Sequence, residues 1–299
     1  MFETIFSVTF LLQSLRISTP YALPALGATV SEKSGVVNIG LEGILLISAF
    51  ATTVGTFYTD MPLFGIFCGI IAGIMTAMLH SLVCVTFKAD QIVSGIAINL
   101  LAIGLTKFAS QLIFNSSSNS ARIPGLESIR VLESTPVLHH SFFIATILLV
   151  AFITFLLFKT RFGLRVRAVG EHPQAADTLG VDVAWTRHAA GLICGALTGL
   201  GGAWLAIDQH SFTDGMSAGR GFIALAAMII GKWHPLGAAG AALLFGFAES
   251  LTIQLQNTSQ AVQFIQMIPY VLTMVVLAGF IGRATPPAAD GIPYEKEAR

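Results

Sequence analysis

Residues Ser31–Gly43 read SEKSGVVNIGLEG, and a long apolar run follows them. Asn38 and Glu42 lie four residues apart at the entrance to that run, so on a helix they would share one face. An ionisable group inside a membrane costs roughly 2.5–3.5 kcal/mol on insertion scales, and it tends to face a protein interior or a wet cavity. This face is therefore expected either to line or support a translocation path, or to form hydrogen bonds in helix packing.

The composition of the whole chain indicates a membrane protein. Of its 299 residues, 54% are hydrophobic and only 11% are charged, and the mean hydropathy is +0.77. A soluble domain carries roughly 25% charged residues. Uncharged blocks such as Met61–Phe87 and Phe142–Phe158 approach or exceed the length of about 20 residues that crosses a bilayer. The 16 basic and 16 acidic residues lack the basic excess of a nucleic-acid-binding surface, so no nucleic-acid partner is expected.

The predicted fold is an all-α polytopic membrane protein with eight to ten transmembrane helices, because backbone exposed to lipid must satisfy its own hydrogen bonds. The first span contains Arg16 and is interrupted by Pro20 and Pro24, which predicts an interfacial helix joined to a membrane helix. The segment 219–232 is too short for a full crossing, which predicts a half-helix or a tilted piece. The predicted spans are 5–30, 36–58, 62–87, 91–114, 141–158, 184–207, 219–232, 235–256 and 262–282.

The charged loops predict the domain organisation and the orientation. The loop 159–183 is rich in Arg and is therefore assigned to the cytoplasm. Residues 1–284 form a single transmembrane domain that includes this loop, and residues 285–299 form a cytoplasmic tail with the composition of a disordered end. The second long loop, Asn115–His140, is expected on the outer side.

The basic loop 159–183 contains a short helix signal. Pro173 suits the first position of a helix and Gly180 suits its end, so a helix over Pro173–Leu179 is predicted outside the membrane. Ala175 and Ala176 would give this helix a surface that another protein can approach closely. The alternative is an ordinary basic loop helix held at lipid headgroups.

Two blocks of the chain resemble a known family, the permease subunits of bacterial ABC importers for nucleosides, simple sugars and related solutes. SEKSGVVNIGLEG is similar to the block after the first membrane segment in the nucleoside branch, and RAVGEHPQAADTLGV is similar to the family's coupling helix. GLGGAWLAI, GRGFIALAAMIIGKWHPLGA and FGFAES extend the resemblance over most of the chain. The sequence departs from the pattern at His172, where Asn is expected in many relatives, and at Lys33, where Arg is common.

The resemblance implies partners and a location. An ABC ATPase would dock on the coupling helix, a longer sister permease would complete a heterodimer, and an extracytoplasmic binding protein would deliver the solute. The chain would lie in the bacterial cytoplasmic (inner) membrane as a multi-pass subunit, embedded in the lipid bilayer.

The resemblance also suggests roles for individual residues. Ion pairs from Arg167 and Glu171 would hold the ATPase, and small residues would allow close docking; the predicted coupling set is Arg167, Ala168, Gly170, Glu171, Ala175, Ala176 and Gly180. A neutral carboxamide offers both donor and acceptor groups to a solute, and an aromatic ring offers a stacking surface. The predicted path residues are Asn38, Glu42, Asn99 and Phe212, with helix bridging as the alternative role for Asn99.

No catalytic motif accompanies these features. The only Gly-Lys pair, Gly231–Lys232, lacks the rest of a P-loop, so the chain is not expected to hydrolyse ATP. No enzyme activity, cofactor or metal is expected. Within the ABC class, a simple sugar or a riboflavin-like vitamin is an alternative solute. Outside it, the alternatives are an ion-coupled secondary transporter, with Glu42 or Glu249 carrying the coupling charge, and a structural or signalling subunit.

Overall fold

The computed structural model describes residues 8–126, 141–256 and 285–295, together with the isolated positions 267, 271, 274 and 275. Within these residues the chain is helical, and the only β-type pairing is a single bridge between Asn119 and Thr213. The helices are α1 Val8–Glu32, α2 Leu41–Thr59, α3 Pro62–Ser81, α4 Gln91–Phe114, α5 Ser141–Lys159, α6 Arg161–Glu171, α7 Pro173–Thr178, α8 Val183–Gln209, α9 Arg220–Ile230 and α10 Pro235–Gln256. A π-helical turn, Leu82–Thr86, extends α3.

Six of the described helices are long and apolar enough to cross a membrane, namely α2, α3 with its π-helical turn, α4, α5, α8 and α10. This confirms the all-helical, multi-pass prediction. The count of eight to ten helices stays a prediction, because the span predicted at 262–282 and the part of the outer loop over 127–140 lie outside the described residues.

Helix α1 is continuous, so the prediction that the prolines split it into two pieces is wrong. Pro20 and Pro24 both lie inside a single helix of 25 residues. The side chains from Ser18 to Glu32 are buried, and a Cβ on Gly201 of α8 would lie 3.2 Å from the Pro24 ring. Neighbouring helices therefore enclose the proline region, and such packing allows proline inside membrane helices.

Helix α2 begins at Leu41, not at residue 36, so the prediction that Asn38 and Glu42 share a helix face is wrong. The preceding segment, residues 34–40, is non-helical and largely buried in protein. Its backbone is satisfied by side chains of other helices: the Val37 N–H donates to the Gln91 side chain at 2.6 Å, and the Val37 carbonyl lies 2.9 Å from Nε2 of His80. Non-helical backbone is tolerated at membrane depth only where protein or water supplies such partners.

Helix α9 also follows a break in the chain. Helix α8 ends at Gln209, and Gly219, with φ +81°, precedes the first residue of α9. With 11 residues, α9 spans roughly 16 Å, about half of a bilayer core of roughly 30 Å. The sequence prediction of a half-helix at 219–232 is confirmed in its length.

Small residues let helices α2, α3 and α8 pack closely. Gly65, Gly69 and Gly73 recur every fourth residue on one face of α3. A Cβ at Gly73 would lie 2.5 Å from the carbonyl oxygen of Gly195 on α8 and 2.9 Å from Oγ of Ser48 on α2. This stripe of glycines brings the backbones into direct contact, as small residues commonly do between membrane helices.

Residues 285–295, called the C-terminal strap below, lie against the end of the bundle that carries the basic loop. The Ala289 N–H donates to the Gly170 carbonyl at 2.8 Å, and the Arg187 guanidinium donates to the Ile292 carbonyl at 3.0 Å. The expectation of a disordered tail is therefore wrong for these residues. Composition alone predicted disorder because it does not count backbone hydrogen bonds to distant parts of the chain.

The strap carries a carboxyl group, Asp290, into this contact. Burial raises the pKa of Asp290 to about 6, while Arg187 and Lys33 oppose the shift. A second carboxyl, Glu32, lies beside it and receives a 2.6 Å hydrogen bond from the Trp233 indole. The strap is thus held by backbone hydrogen bonds around a partly buried acidic pair.

Candidate functional site

The basic loop folds into a bent pair of helices, α6 and α7. The Thr160 hydroxyl caps α6 by accepting from the Gly163 N–H at 3.1 Å, and the chain then turns at His172. Helix α7 begins at Pro173 and ends one residue before Leu179, and Gly180 follows with φ +82°. The short helix predicted from its proline and glycine is confirmed.

The structure corrects which small residues of this pair are available to a partner. Ala176 is only 3% exposed and packs against Val169 and Val183, so it stabilises the chain's own core. Gly170 is also buried, because the Lys33 backbone lies against its Cα. The prediction that Ala176 and Gly170 offer a docking surface is therefore wrong for this conformation.

Four of the five remaining predicted coupling residues form an exposed face. Ala168, Glu171, Ala175 and Gly180 are exposed, and Leu179 beside them is 85% exposed. An apolar side chain held this far into solvent at the tip of a loop suits a protein contact. We call this exposed set, Ala168, Glu171, Ala175, Leu179 and Gly180, the knuckle face.

The two charged residues of the predicted coupling set already have partners within the chain. The Arg167 guanidinium lies over the Phe158 ring at 5.1 Å from its centroid. The Glu171 carboxylate accepts from the Ala288 N–H of the C-terminal strap at 3.2 Å. Glu171 stays exposed and can accept a further donor, whereas Arg167 is half-buried.

Two of the predicted path residues, Asn38 and Asn99, bind the beginning of α2. Asn38 accepts from the Gly40 N–H at 3.0 Å, and its amide nitrogen lies 3.6 Å from the Cys194 sulfur, near the middle of α8. Asn99 accepts from the Gly43 N–H at 2.8 Å and donates to the Ile39 carbonyl at 3.1 Å. Both carboxamides thus satisfy backbone groups at a helix start that lies deep in the bundle.

Glu42 binds the beginning of α9. Its two carboxylate oxygens accept from the N–H groups of Gly219 and Gly221, each at 2.7 Å. A Cβ on Gly221 would collide with the backbone of Leu41 and Glu42, so the first turns of α2 and α9 are in direct contact. A carboxylate at a helix N-terminus is stabilised by the unpaired N–H groups and by the helix dipole.

Phe212 does not offer a stacking surface in this conformation. Its side chain is fully buried and packs edge-on against Phe50, with the ring centroids 5.1 Å apart. Its backbone N–H donates to the Ser120 hydroxyl at 2.8 Å, which ties the chain after α8 to the chain after α4. The predicted contact of Phe212 with a solute would require this packing to open.

Sequence reasoning named Asp208 and Glu249 as candidate path residues, and Glu249 also as a possible coupling charge, but missed that charges pair between α1, α8, α9 and α10. Arg220 donates to Glu249 at 2.7 Å, and the Tyr21 hydroxyl donates to the same carboxylate. Arg16 and Asp208 form a second ion pair, with Nε of Arg16 2.6 Å from a carboxylate oxygen. The signal was present, because lone charges of opposite sign inside apolar segments tend to pair with one another.

Comparisons with known proteins agree on one class. The sequence profile of the family described as "Branched-chain amino acid transport system / permease component" matches residues 10–278. The chain is 42% identical to the guanosine ABC transporter permease protein NupQ of Bacillus subtilis (strain 168), over 96% of both chains. It is also 42% identical to the nucleoside ABC transporter permease protein NupC of Lactococcus lactis subsp. cremoris (strain MG1363), over 93% of this chain and 94% of that protein.

A solved structure shares the fold. It is described as "An inward-facing conformation of a putative metal-chelate type ABC transporter", with a TM-score of 0.53, and the match covers 90% of this chain and 84% of the other at 18% identity. At that identity the likeness concerns the fold alone, whereas the sequence matches span nearly the whole chain. The protein therefore belongs to the branched-chain amino acid transport system / permease component family.

Proposed function

We propose that this chain is the membrane-spanning permease subunit of an ATP-driven ABC importer that carries nucleosides. The observation that carries the proposal is the 42% identity to a guanosine permease over 96% of both chains. The helical bundle with a buried break before α2 and a second break before the half-helix α9 supports a transport role, since irregular backbone within a membrane bundle commonly borders a solute path.

In this proposal the partner ATPase docks on the knuckle face in the cytoplasm. Ala168, Ala175 and Gly180 allow its surface to approach closely, and Leu179 provides an apolar anchor. Glu171, and Arg167 at the margin, add polar contacts. ATP binding and hydrolysis would move the α6–α7 pair and so bias the subunit between outward-facing and inward-facing arrangements.

The remaining partners follow from the same class. A sister permease would complete a heterodimer around the path, and an extracytoplasmic binding protein would deliver the solute at the opposite side of the cytoplasmic membrane. The chain itself would be non-catalytic, with ATP hydrolysis confined to the ATPase.

Asn38, Asn99 and Glu42 would act on transport by fixing the beginnings of α2 and of the half-helix α9, which border the path. Their polar atoms bind backbone groups of α2 and α9, so a change of conformation at these helix starts has to rearrange them. Phe212 would reach a solute only in a conformation that releases its contact with Phe50.

The ion-coupled alternative has little support. Glu42 already binds two backbone N–H groups, and Glu249 already binds Arg220 and Tyr21. A coupling carboxylate has to exchange an ion during each cycle, and neither side chain is free to do so in this conformation.

Uptake of labelled guanosine, ribose and riboflavin tests the proposal. Cells would express this chain with its sister permease, ATPase and binding protein, with and without a Walker substitution in the ATPase. Guanosine uptake that the substitution abolishes supports the proposal, and uptake of only ribose or riboflavin would change the solute. Uptake that survives the substitution but is lost with a proton uncoupler would refute the ATP-driven mechanism.

A further inference from the structure

A polar cavity of about 300 Å³ lies between α1, α8, α9 and α10, in the half of the bundle away from the basic loop. Asp208 and Gln209 end α8 at the far side from the basic loop, and Glu249 lies in the second half of α10. None of the four predicted path residues lines this cavity. A second cavity of about 190 Å³ adjoins it and shares Arg16, Trp204 and Asp208.

The cavity is charged but balanced. Its lining includes two cations, Arg16 and Arg220, and two anions, Asp208 and Glu249, which pair with one another. The side chain of Arg16 is 54% exposed, so the cavity is open beside this residue. Such a lining tolerates a neutral polar solute, whereas an ionic solute would bring an uncompensated charge.

Hydrogen-bonding groups and a ring surround these ion pairs. Gln13 and Gln209 each offer donor and acceptor groups. The buried Nε–H group of Arg220 has no acceptor among the described residues. Trp204, which is 7% exposed, and Ile17, which is half-buried, contribute to the apolar part of the lining. A lining that combines apolar side chains with hydrogen-bond donors and acceptors suits a small neutral solute that carries amide and hydroxyl groups.

The volume limits the size of the occupant. Pockets for small molecules range from about 300 to 1,000 Å³, so the cavity is at the lower end of that range. A nucleoside-sized solute is compatible with this volume, and the adjoining cavity leaves space for part of it. A peptide or an oligonucleotide would not fit.

We propose that this cavity is a solute-binding site of the permease itself, which takes a neutral nucleoside with its polar groups toward Gln13 and Gln209. The assignment rests on the proposed function, since it names where the imported solute meets this subunit. It also predicts discrimination: a nucleoside 5′-monophosphate is rejected because its charge has no free counter-charge in the lining.

Thiol protection in the complete importer tests occupancy directly. Gln209→Cys would be introduced into a chain carrying Cys68→Ala, because Cys84 and Cys194 are buried. The matched control is Met61→Cys, an exposed position in the turn after α2 and away from the cavity. A membrane-impermeant methanethiosulfonate reagent would then be added with increasing uridine or guanosine, or with guanosine 5′-monophosphate.

We expect the nucleosides to slow modification at position 209 several-fold while the rate at position 61 stays unchanged, and the monophosphate to protect neither. No modification at position 209, equal rates with and without nucleoside, or equal protection by the monophosphate would overturn the assignment.

Uptake measurements on the complete importer distinguish a failure of the site assignment from a failure of the proposed function. Gln13→Ala combined with Gln209→Ala should raise KM for nucleoside uptake several-fold without lowering the amount of chain in the membrane. If the unsubstituted importer takes up no nucleoside, the proposed function fails. If it transports normally and the double variant has an unchanged KM, only the site assignment fails.

Discussion

Glu42→Gln isolates the contact between α2 and the half-helix α9. The carboxylate accepts two N–H groups of α9, each at 2.7 Å, and an amide side chain of the same shape can offer only one oxygen. A hydrogen bond to a charged group contributes about 1.5–3 kcal/mol. The favourable charge at a helix N-terminus contributes about 0.3–1 kcal/mol more. We therefore expect Glu42→Gln to destabilise the chain by about 2–4 kcal/mol.

The fraction of chain that stays folded on heating measures this loss of stability. Detergent-solubilised membranes would be heated in steps, and the monodisperse fraction would be followed by size-exclusion chromatography. Asp214→Asn is the matched control, because it also replaces one carboxylate with an amide. Asp214 forms an ion pair with Lys107, and the two side chains are 30% and 55% exposed, respectively. Such a pair contributes about 0–1 kcal/mol.

The outcome also decides between two roles of Glu42. If the residue fixes α9, stability and uptake fall together in Glu42→Gln, and lowering the temperature restores part of the uptake. A variant as stable as the parent chain but without uptake would refute the helix-capping argument and return Glu42 to the role of a coupling charge.

Three further predictions concern packing, docking and the strap. Gly73→Leu should cost about 3 kcal/mol and lower the amount of folded chain in membranes, whereas Gly104→Leu, where a Cβ meets nothing within 4 Å, should not. Ala175→Glu should lower ATP-dependent uptake while the amount of chain in the membrane stays unchanged. Ala176→Glu should also destabilise the chain by about 2 kcal/mol or more, because it buries a carboxylate. Equal amounts of folded chain in the two variants would contradict the buried position of Ala176. Burial raises the pKa of Asp290 from 3.8 to about 6, so the protonated form favours the docked strap, and docking weakens as the pH rises between these values. A fluorophore on the strap should therefore become more mobile as the pH rises from about 4 to about 6, and Asp290→Asn should abolish that change.

Local signals predicted the parts of the fold that depend on neighbours in sequence. The continuous apolar runs predicted membrane helices, and Pro173 and Gly180 predicted the short helix α7, because both act through their own backbone angles. The half-helix α9 was predicted from the length of its apolar segment alone.

The errors arose where distant residues decide the outcome. The start of α2 at Leu41 depends on side chains from α3, α4 and α8 that bind residues 37–40, and no local pattern contains them. The sequence could not show whether the Ala176 side chain faces the core or the solvent, because a helix of six residues is too short to show an apolar period. The polar residues chosen for the path were correctly seen as unusual, but only the three-dimensional arrangement shows that their partners are backbone groups.

The C-terminal strap has a consequence for biosynthesis. The bond from Arg187 to the Ile292 carbonyl, and the bond from Ala289 to Gly170, join helices α8 and α6 to residues that are synthesised after every described helix. The surface beside the knuckle face is therefore completed only after all of the described helices have been synthesised. A prematurely terminated chain would insert its first helices but lack this surface, so subunit assembly would distinguish finished chains from unfinished ones.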